Sequence, residues 1–263
     1  VTGDVTLLAD SVTVDVVNVI LDPSRPLEDG ELRDPLCRET VHYRIEGRNI
    51  EVSASHLFCN TAPVTIETYY GMQSMFANET QTFTSGGAYT DWTVQSGVSQ
   101  FLKGDYPEFR RFVERNASAY QSSFLLPGGL GDHGMLGDGD IVFIGNSSAK
   151  SYHKLISRKR FENGDRIAWR GVYTFAEPLA DDAGLFCYEG AVAGRRALFL
   201  DVRVACSRML ELPSGLDARR FDLLDANGDL RVEASGKSAL RLSAGGPGGC
   251  VLLFGGEDGA EGE

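Results

Sequence analysis

The stretch HYRIEGRNIEVSASHLF, residues 42–58, decides the fold class. Its second half alternates apolar and polar residues, and the segment before it, Glu46–Asn49, resembles the tip of a hairpin. A period of two predicts a half-buried strand, because successive side chains of a strand point to opposite faces. The stretch therefore predicts a β-hairpin with one buried face, made of Ile50, Val52, Ala54, His56 and Phe58.

The same alternation recurs along much of the chain. It marks runs at 11–21, 64–70, 167–175 and 197–204, and closing strands are expected at 240–242 and 251–254. Two Asn-Gly pairs, in Glu162–Asp165 and Ala226–Asp229, are typical of tight hairpin turns. Hairpins at short spacing favour antiparallel meanders over βαβ units. The predicted fold is mainly β, a large antiparallel β-sandwich with hairpin meanders and one short helix.

The helix is predicted between Asp105 and about Asn116. Asp105 is a helix-capping residue, and Pro107 and Glu108 suit a first turn. The apolar residues that follow have helical spacing: Phe109, Phe112 and Val113.

One domain is expected over residues 1–254, with a soft boundary near 176–183. Residues 255–263 contain Gly, Ala and acidic residues, so we expect them to form a solvated acidic tail.

The composition limits the partners. With a formal net charge of −12 and a pI near 4.8, the chain should repel nucleic acid and anionic membranes. The chain contains no run of about 18 apolar residues, so no membrane-spanning helix is expected. The five cysteines are widely spaced, a pattern that favours buried free thiols. One or two disulfide bonds are the alternative. Free thiols favour a cytoplasmic location without excluding secretion, since three Asn-x-Ser/Thr sequons occur, at Asn78, Asn116 and Asn146.

The first candidate site is the segment Thr65–Phe76, in which a predicted strand carries Tyr69, Tyr70 and Gln73. Aromatic faces suit sugar rings, and Tyr hydroxyls and a Gln amide can hydrogen bond to sugar hydroxyls. The alternative is an ordinary half-buried strand, with Glu67 and Tyr69 on the outward face and Tyr70 in the core.

The second candidate is the glycine-rich loop at residues 127–140. It carries Asp132 beside His133, a pair suited to acid/base chemistry, with Glu67 as a partner in the same pocket. A plain turn-rich loop is the alternative. No cofactor or metal site is predicted. Ca²⁺ stays open at Asp138/Asp140 and, less favoured, at Asp225–Asp229, where Gly236 replaces the Glu that a calcium loop needs at its twelfth position.

Other candidate ligand-binding residues are Trp92, His153 and Arg170. Trp169, by its strand alternation, is assigned to the core, which leaves Trp92 as the better stacking residue. His153 and its neighbour Lys154 could serve as acid, base or anion contact, or could belong to a solvated edge strand. His56 lies on an apolar strand face and is expected to be a satisfied core histidine.

Two segments resemble known families. Residues 42–52 and 58–64 resemble the large antiparallel sandwiches of galactose-mutarotase-like proteins, and residues 203–254 resemble the small β-sandwich appended to many polysaccharide-active enzymes. The resemblance implies the fold and a sugar-related context. Mutarotases use a His pair with a carboxylate, but Tyr70–Gln73 stands where the first pocket His is sought, so the epimerase reaction is not implied.

Two functional hypotheses follow. The first is a carbohydrate-active or carbohydrate-binding β-sandwich whose ligand is a carbohydrate or another neutral small molecule. If it is catalytic, a His/carboxylate pocket supplies the acid/base chemistry. The second is a non-catalytic structural or protein-interaction subunit, either a homo-oligomer or an accessory domain.

Overall fold

The computed structural model describes residues 2–23, 34–75, 80–84, 91–94, 98–102, 111–117, 119–126, 140–145 and 150–255. Within these ranges the regular elements are β-strands and no helix occurs. In chain order the strands are β1 (Thr2–Leu7), β2 (Ser11–Leu21), β3 (Pro35–Glu46), β4 (Asn49–Phe58), β5 (Val64–Met75), β6 (Gln81–Thr84), β7 (Thr93–Val94), β8 (Val98–Leu102), β9 (Arg111–Asn116), β10 (Ala119–Leu125), β11 (Asp140–Gly145), β12 (Lys150–Phe161), β13 (Arg166–Thr174), β14 (Pro178–Asp181), β15 (Leu185–Val192), β16 (Arg195–Val202), β17 (Cys206–Glu211), β18 (Phe221–Asn227), β19 (Leu230–Ala234), β20 (Ala239–Ala244) and β21 (Gly248–Phe254).

The predicted mainly-β fold with antiparallel pairing is confirmed. No helix among the described residues is long and apolar enough to cross a membrane. All five cysteines are free thiols, as the spacing predicted.

The chain forms two compact units that interleave in sequence. The first unit comprises Val1–Asn78, Ser96–Pro107 and Ser123–Tyr173. The second comprises Glu79–Gln95, Glu108–Ser122 and Thr174–Glu263. Assignment of residues 1–254 to one domain stays a prediction, and most of the predicted tail, 256–263, lies outside the described residues.

The first unit is a sandwich of two sheets. In sheet I the strands that contribute to this unit lie in the order β1-β2-β3-β4-β13-β10, and in sheet II the order is β5-β12-β11-β8. Its core joins residues from both sheets, because the buried faces of β3, β4 and β13 pack against β5 and β12. One cluster contains the parallel-stacked rings of Phe58 and Phe161, with centroids 4.2 Å apart.

The second unit contains another sandwich. Sheet III has the order β14-β15-β16-β21-β18 and packs on sheet IV, with the order β17-β20-β19, around a cluster that includes Leu198, Leu240 and Leu252. The opposite face of sheet III is also covered, since Phe83 of β6 contacts Phe186 of β15. Strands β15 and β16 are therefore mostly buried on both faces, and their sequences read as almost continuous apolar runs.

The hairpin predicted within residues 42–58 is confirmed. Glu46 pairs with Asn49, so Gly47 and Arg48 form a two-residue turn, and Gly47 has a φ of +55°. The predicted face is also correct, since Val52, Ala54, His56 and Phe58 are buried and the residues between them are more exposed.

The predicted helix is wrong for its C-terminal half, which is the part that the structure describes. Residues 111–116 form strand β9, and 105–110 lie outside the described residues. Strand β9 pairs with β6, with Thr84 opposite Phe112 and Phe83 opposite Val113. Its first four residues are buried on both faces, a sheet environment that overrides the helical spacing of the phenylalanines.

The two Asn-Gly segments are turns, but the strands they join do not pair with each other. Strand β12 lies in sheet II and β13 in sheet I, while β18 lies in sheet III and β19 in sheet IV. Gly164 and Gly228 have φ values of +92° and +70°, the left-handed conformation that glycine tolerates. The predicted hairpins are therefore wrong: at both places the chain crosses from one layer of a sandwich to the other.

Candidate functional site

Two opposed irregularities shape the middle of the β5–β12 pair. Along the register, Tyr152 pairs with Gln73, Lys154 with Tyr70, and Ile156 with Tyr69. Strand β5 therefore has an extra residue in the first interval, and β12 has one in the second. Such β-bulges turn side chains from one face of a sheet to the other.

The bulges reverse the orientation expected for the tyrosine pair. Tyr69 packs on the core, and its hydroxyl accepts a 2.8 Å hydrogen bond from Nε1 of Trp169. Burial raises the pKa of Tyr69 to about 12. Tyr70 is instead 37% exposed. The arrangement with Tyr69 outward and Tyr70 in the core is wrong, because strict alternation does not continue through a bulge.

The outward face of this strand pair carries an aromatic and polar group that we call the tyrosine platform: Tyr70, Gln73, Tyr152 and Lys154. Directly opposed residues of an antiparallel pair project from the same face. Tyr70 and Tyr152 are diagonal neighbours, with ring centroids 4.3 Å apart and planes tilted by 33°. Gln73 is exposed, while Tyr152 and Lys154 are partly exposed. The platform therefore presents aromatic surface between an amide and an ammonium group.

The main chain beneath the platform is held from β13. The Tyr173 hydroxyl accepts a 2.8 Å hydrogen bond from the Gln73 N–H and donates one of 2.9 Å to the Gln73 carbonyl. These bonds satisfy main-chain groups beside the bulge. A Cβ at Gly71 would overlap the Leu155 side chain of β12, so any larger residue there would force Leu155 to move. The platform is thus preorganised by the fold.

His153 lies on the opposite face of β12 from the platform. Its side chain is 2% exposed. Burial lowers its pKa to about 3, although a hydrogen bond to the Ser123 main chain favours the charged ring. The alternative in which this segment is a solvated edge strand is wrong, because β12 lies between β5 and β11. A neutral, enclosed imidazole of this kind fits a structural role.

The predicted acid/base group is only partly described. Asp132 and His133 lie outside the described residues. Glu67 lies on β5 with 70% of its side chain exposed, 3.8 Å from the Arg158 guanidinium. Exposed pairs of this kind contribute little to stability, and the assignment of a catalytic role to these three residues stays a prediction.

Trp92 belongs to the second unit, where its polar and aromatic surfaces are already engaged. Its Nε1 donates hydrogen bonds of 3.0 and 3.2 Å to the two carboxylate oxygens of Asp181. The Arg115 guanidinium lies 4.1 Å from the centre of its ring. The ring edge meets Phe186 at a centroid distance of 5.3 Å. These neighbours leave little of the indole for stacking on a ligand.

The remaining candidates of β13 behave as the alternation predicted. Trp169 is 6% exposed and lies in the core. Arg170 is on the opposite face, where its Nη2 donates a 2.9 Å hydrogen bond to Oε1 of Glu51. Because this guanidinium already has a carboxylate partner, it is not a ready ligand for an anion.

His56 lies buried on the core face, as its strand alternation predicted, but it is only half satisfied, because its buried Nδ1 has no hydrogen-bond partner among the described residues. It is 4% exposed, and its Nε2 lies 2.8 Å from Oε2 of Glu39. The other carboxylate oxygen of Glu39 accepts a 2.7 Å hydrogen bond from Asn18. Burial lowers the pKa of His56 even though the Glu39 carboxylate favours the charged ring.

The structure adds Tyr152 and Lys154 to the site that the sequence placed on β5. The sequence alone associates Lys154 with its neighbour His153, and nothing local links Tyr152 to Tyr70, 82 positions earlier in the chain. The available signal was the alternation of Tyr152 and Lys154 around His153, which places both on one strand face. Among the described residues, no group of three or more His, Cys, Asp or Glu is arranged to hold a metal ion.

No protein-family model matches this chain, and no curated protein matches it.

Proposed function

We propose that the protein binds carbohydrate through the tyrosine platform. The observation that carries the proposal is the tilted Tyr70–Tyr152 ring pair on an outward sheet face, with Tyr70 37% exposed. Aromatic rings present an apolar face suited to the C–H face of a sugar, and their hydroxyls can hydrogen bond at the same time.

The polar members of the platform can orient a bound ligand through hydrogen bonds. The Gln73 amide offers donors and an acceptor, while the Lys154 ammonium adds a positively charged donor group. Tyr173 and the bulges fix the main chain in place, so little ordering entropy is lost when a ligand binds. This combination supports recognition of a hydroxyl-rich ligand.

The proposal is limited to binding. The resemblance to galactose-mutarotase-like sandwiches supports a sugar-related context. The acid/base group of Asp132, His133 and Glu67 is proposed only as a catalytic extension of it.

Replacing Tyr70 by alanine should weaken carbohydrate binding about tenfold, about 1.4 kcal/mol, because one wall of the aromatic pair is lost. Tyr70→Phe keeps the ring and should retain most of the affinity. Isothermal titration and affinity electrophoresis with soluble galactomannan, β-glucan, xyloglucan and pectate would measure both the ligand class and the effect.

Phe175→Ala is the matched control, since Phe175 is a 42% exposed aromatic residue in the second unit. Its binding should equal that of the wild-type protein. Absence of binding to every polysaccharide, or equal losses in the Tyr70 and Phe175 variants, would refute the platform.

A second candidate function, self-association, is favoured by the edge strand β1. All six of its residues are exposed, with Val5 at 65% and Leu7 at 77%. Among the described strands it pairs only with β2. An exposed apolar edge with unpaired main-chain groups is a template for another strand, and the partner proposed here is β1 of a second copy.

Val5→Lys should weaken this association at least tenfold, because a charged side chain on an edge strand opposes strand pairing. Light scattering coupled to gel filtration over a dilution series would measure it. Val204→Lys, at a 52% exposed valine of the second unit, serves as the control. A wild-type chain that stays monomeric at every concentration would exclude this function.

A further inference from the structure

A cavity lies on the outer face of sheet I, and none of the residues of the tyrosine platform lines it. It has a volume of about 370 Å³, within the range of small-molecule sites. Three adjacent strands, β3, β4 and β13, line it, together with the core-facing residues His56 and Ile167. The lining residues on the outer face are Arg38, Thr40, Ser55, Leu57, Arg166 and Ala168.

These side chains belong to the face of sheet I that points away from the core. In β3 the core-facing neighbours Cys37 and Val41 are buried, while Arg38 and Thr40 are exposed. In the same way, Ile167 is buried in the core, whereas Arg166, on the other face of β13, is exposed. The lining is therefore open to solvent and to a ligand.

The cavity is rich in hydrogen-bond donors. Thr40 and Ser55 lie directly opposite each other in the β3–β4 register, so their hydroxyls are cross-strand neighbours. Arg38 and Arg166 each carry a guanidinium, and no carboxylate lines the cavity. Among the described residues, neither arginine forms an ion pair or a side-chain hydrogen bond.

This arrangement is unusual for the charge of the chain. The sequence contains 37 acidic residues against 25 Lys and Arg, yet two arginines share one cavity without an acidic partner. The two positive charges at the cavity repel each other, and an anion bound between them would be attracted to both and would offset that repulsion. Guanidinium groups match the geometry of oxyanions because their N–H groups form a planar fork.

We propose that this cavity binds the tetrahedral oxyanion of a phosphorylated or sulfated small molecule. Two guanidinium groups and two hydroxyls provide more hydrogen-bond donors than the two oxygens of a carboxylate can accept. A phosphate or sulfate group has three terminal oxygens and therefore matches this set of donors better. The cavity is larger than a bare ion, and Leu57 and Ala168 supply an apolar wall for the group that carries the anion. This site does not depend on carbohydrate binding at the tyrosine platform.

The test is titration of the full chain with inorganic phosphate, sulfate and acetate, against chloride at equal ionic strength. Phosphate or sulfate should raise the thermal midpoint and give a measurable Kd, and acetate should bind more weakly. Glucose 6-phosphate, glucose 6-sulfate and glucose then distinguish the two anions and show whether a sugar adds affinity.

Arg38→Gln and Arg166→Gln should each weaken phosphate or sulfate binding about tenfold, since each removes a charge-assisted contact. Arg160→Gln removes the same charge from an exposed position on β12 and should leave the Kd unchanged. Tyr70→Ala should also leave it unchanged, which separates this site from the platform. The proposal is overturned if phosphate and sulfate act like chloride, if acetate binds as tightly, or if Arg160→Gln loses as much affinity as the cavity variants.

Discussion

Replacing Asp201 by alanine is expected to lower the free energy of unfolding by about 3–5 kcal/mol, the largest single effect among our predictions. Asp201 is 0% exposed and forms an ion pair with Arg111, which is 4% exposed. Alanine would leave the guanidinium buried without its countercharge. Removing one partner of a buried pair costs far more than the pair contributes, because the remaining charge has lost its hydration as well.

The surroundings of Arg111 do not replace the carboxylate. Its Nη2 also donates a 3.2 Å hydrogen bond to the Leu200 carbonyl, and its guanidinium lies 5.3 Å from the centre of the Phe199 ring. These contacts orient the cation but provide no countercharge. Urea unfolding followed by circular dichroism would measure the loss.

Two variants make the Asp201 result specific. Asp222→Ala removes a carboxylate that is 68% exposed and pairs with Arg195 at 2.7 Å, so it should cost less than about 1 kcal/mol. The double variant Arg111→Met with Asp201→Leu should recover most of the stability, since neither charge remains buried. A single Asp201 variant as stable as the Asp222 variant would contradict the prediction.

The second large effect is a loss of stability in mild acid that arises from His153. Its pKa of about 3 in the folded protein lies below the value of about 6.5 expected for an unfolded chain. The unfolded chain therefore binds more protons between these two values, so stability is fully present above about pH 7 and decreases as the pH falls. From about pH 7 to pH 5 the expected loss is about 2 kcal/mol.

His153→Gln isolates this contribution, because glutamine does not titrate. A loss of stability that is equal at every pH does not affect the test, since the readout is the slope of unfolding free energy against pH. That slope should become shallower by about 2 kcal/mol over the same interval. His56, whose pKa is also lowered, keeps its own contribution in both proteins. The control is His42→Gln, which replaces an exposed histidine. An unchanged slope in His153→Gln would refute the assignment of the pH dependence to His153.

The sequence was informative about individual strands and less so about their partners. The hairpin at Gly47 and the core face of Val52, Ala54 and Phe58 followed from local alternation and turn chemistry. At Gly164 and Gly228 the turns were located correctly, but an Asn-Gly turn does not determine whether the chain returns to the same sheet. Strand β9 was missed because the spacing of its phenylalanines also fits a helix.

The candidate site illustrates the same limit. Tyr70 and Gln73 were identified from residue chemistry, since aromatic and amide groups at a strand end suggest recognition of hydroxyls. The direction in which their side chains point could not be predicted from the sequence, because the bulges are defined only by pairing with β12. Tyr152 entered the site for the same reason, as a neighbour across the sheet and not along the chain.

The amino-acid sequence by itself determined that the chain is acidic, mainly β and antiparallel, because side-chain alternation and turn residues act over a few neighbouring positions. Only the tertiary structure decided which strands pair, which of Tyr69 and Tyr70 faces solvent, and that Arg38 and Arg166 share a cavity. The physical reason is that register, bulges and cavity lining depend on contacts between residues far apart in the chain, which local patterns do not encode.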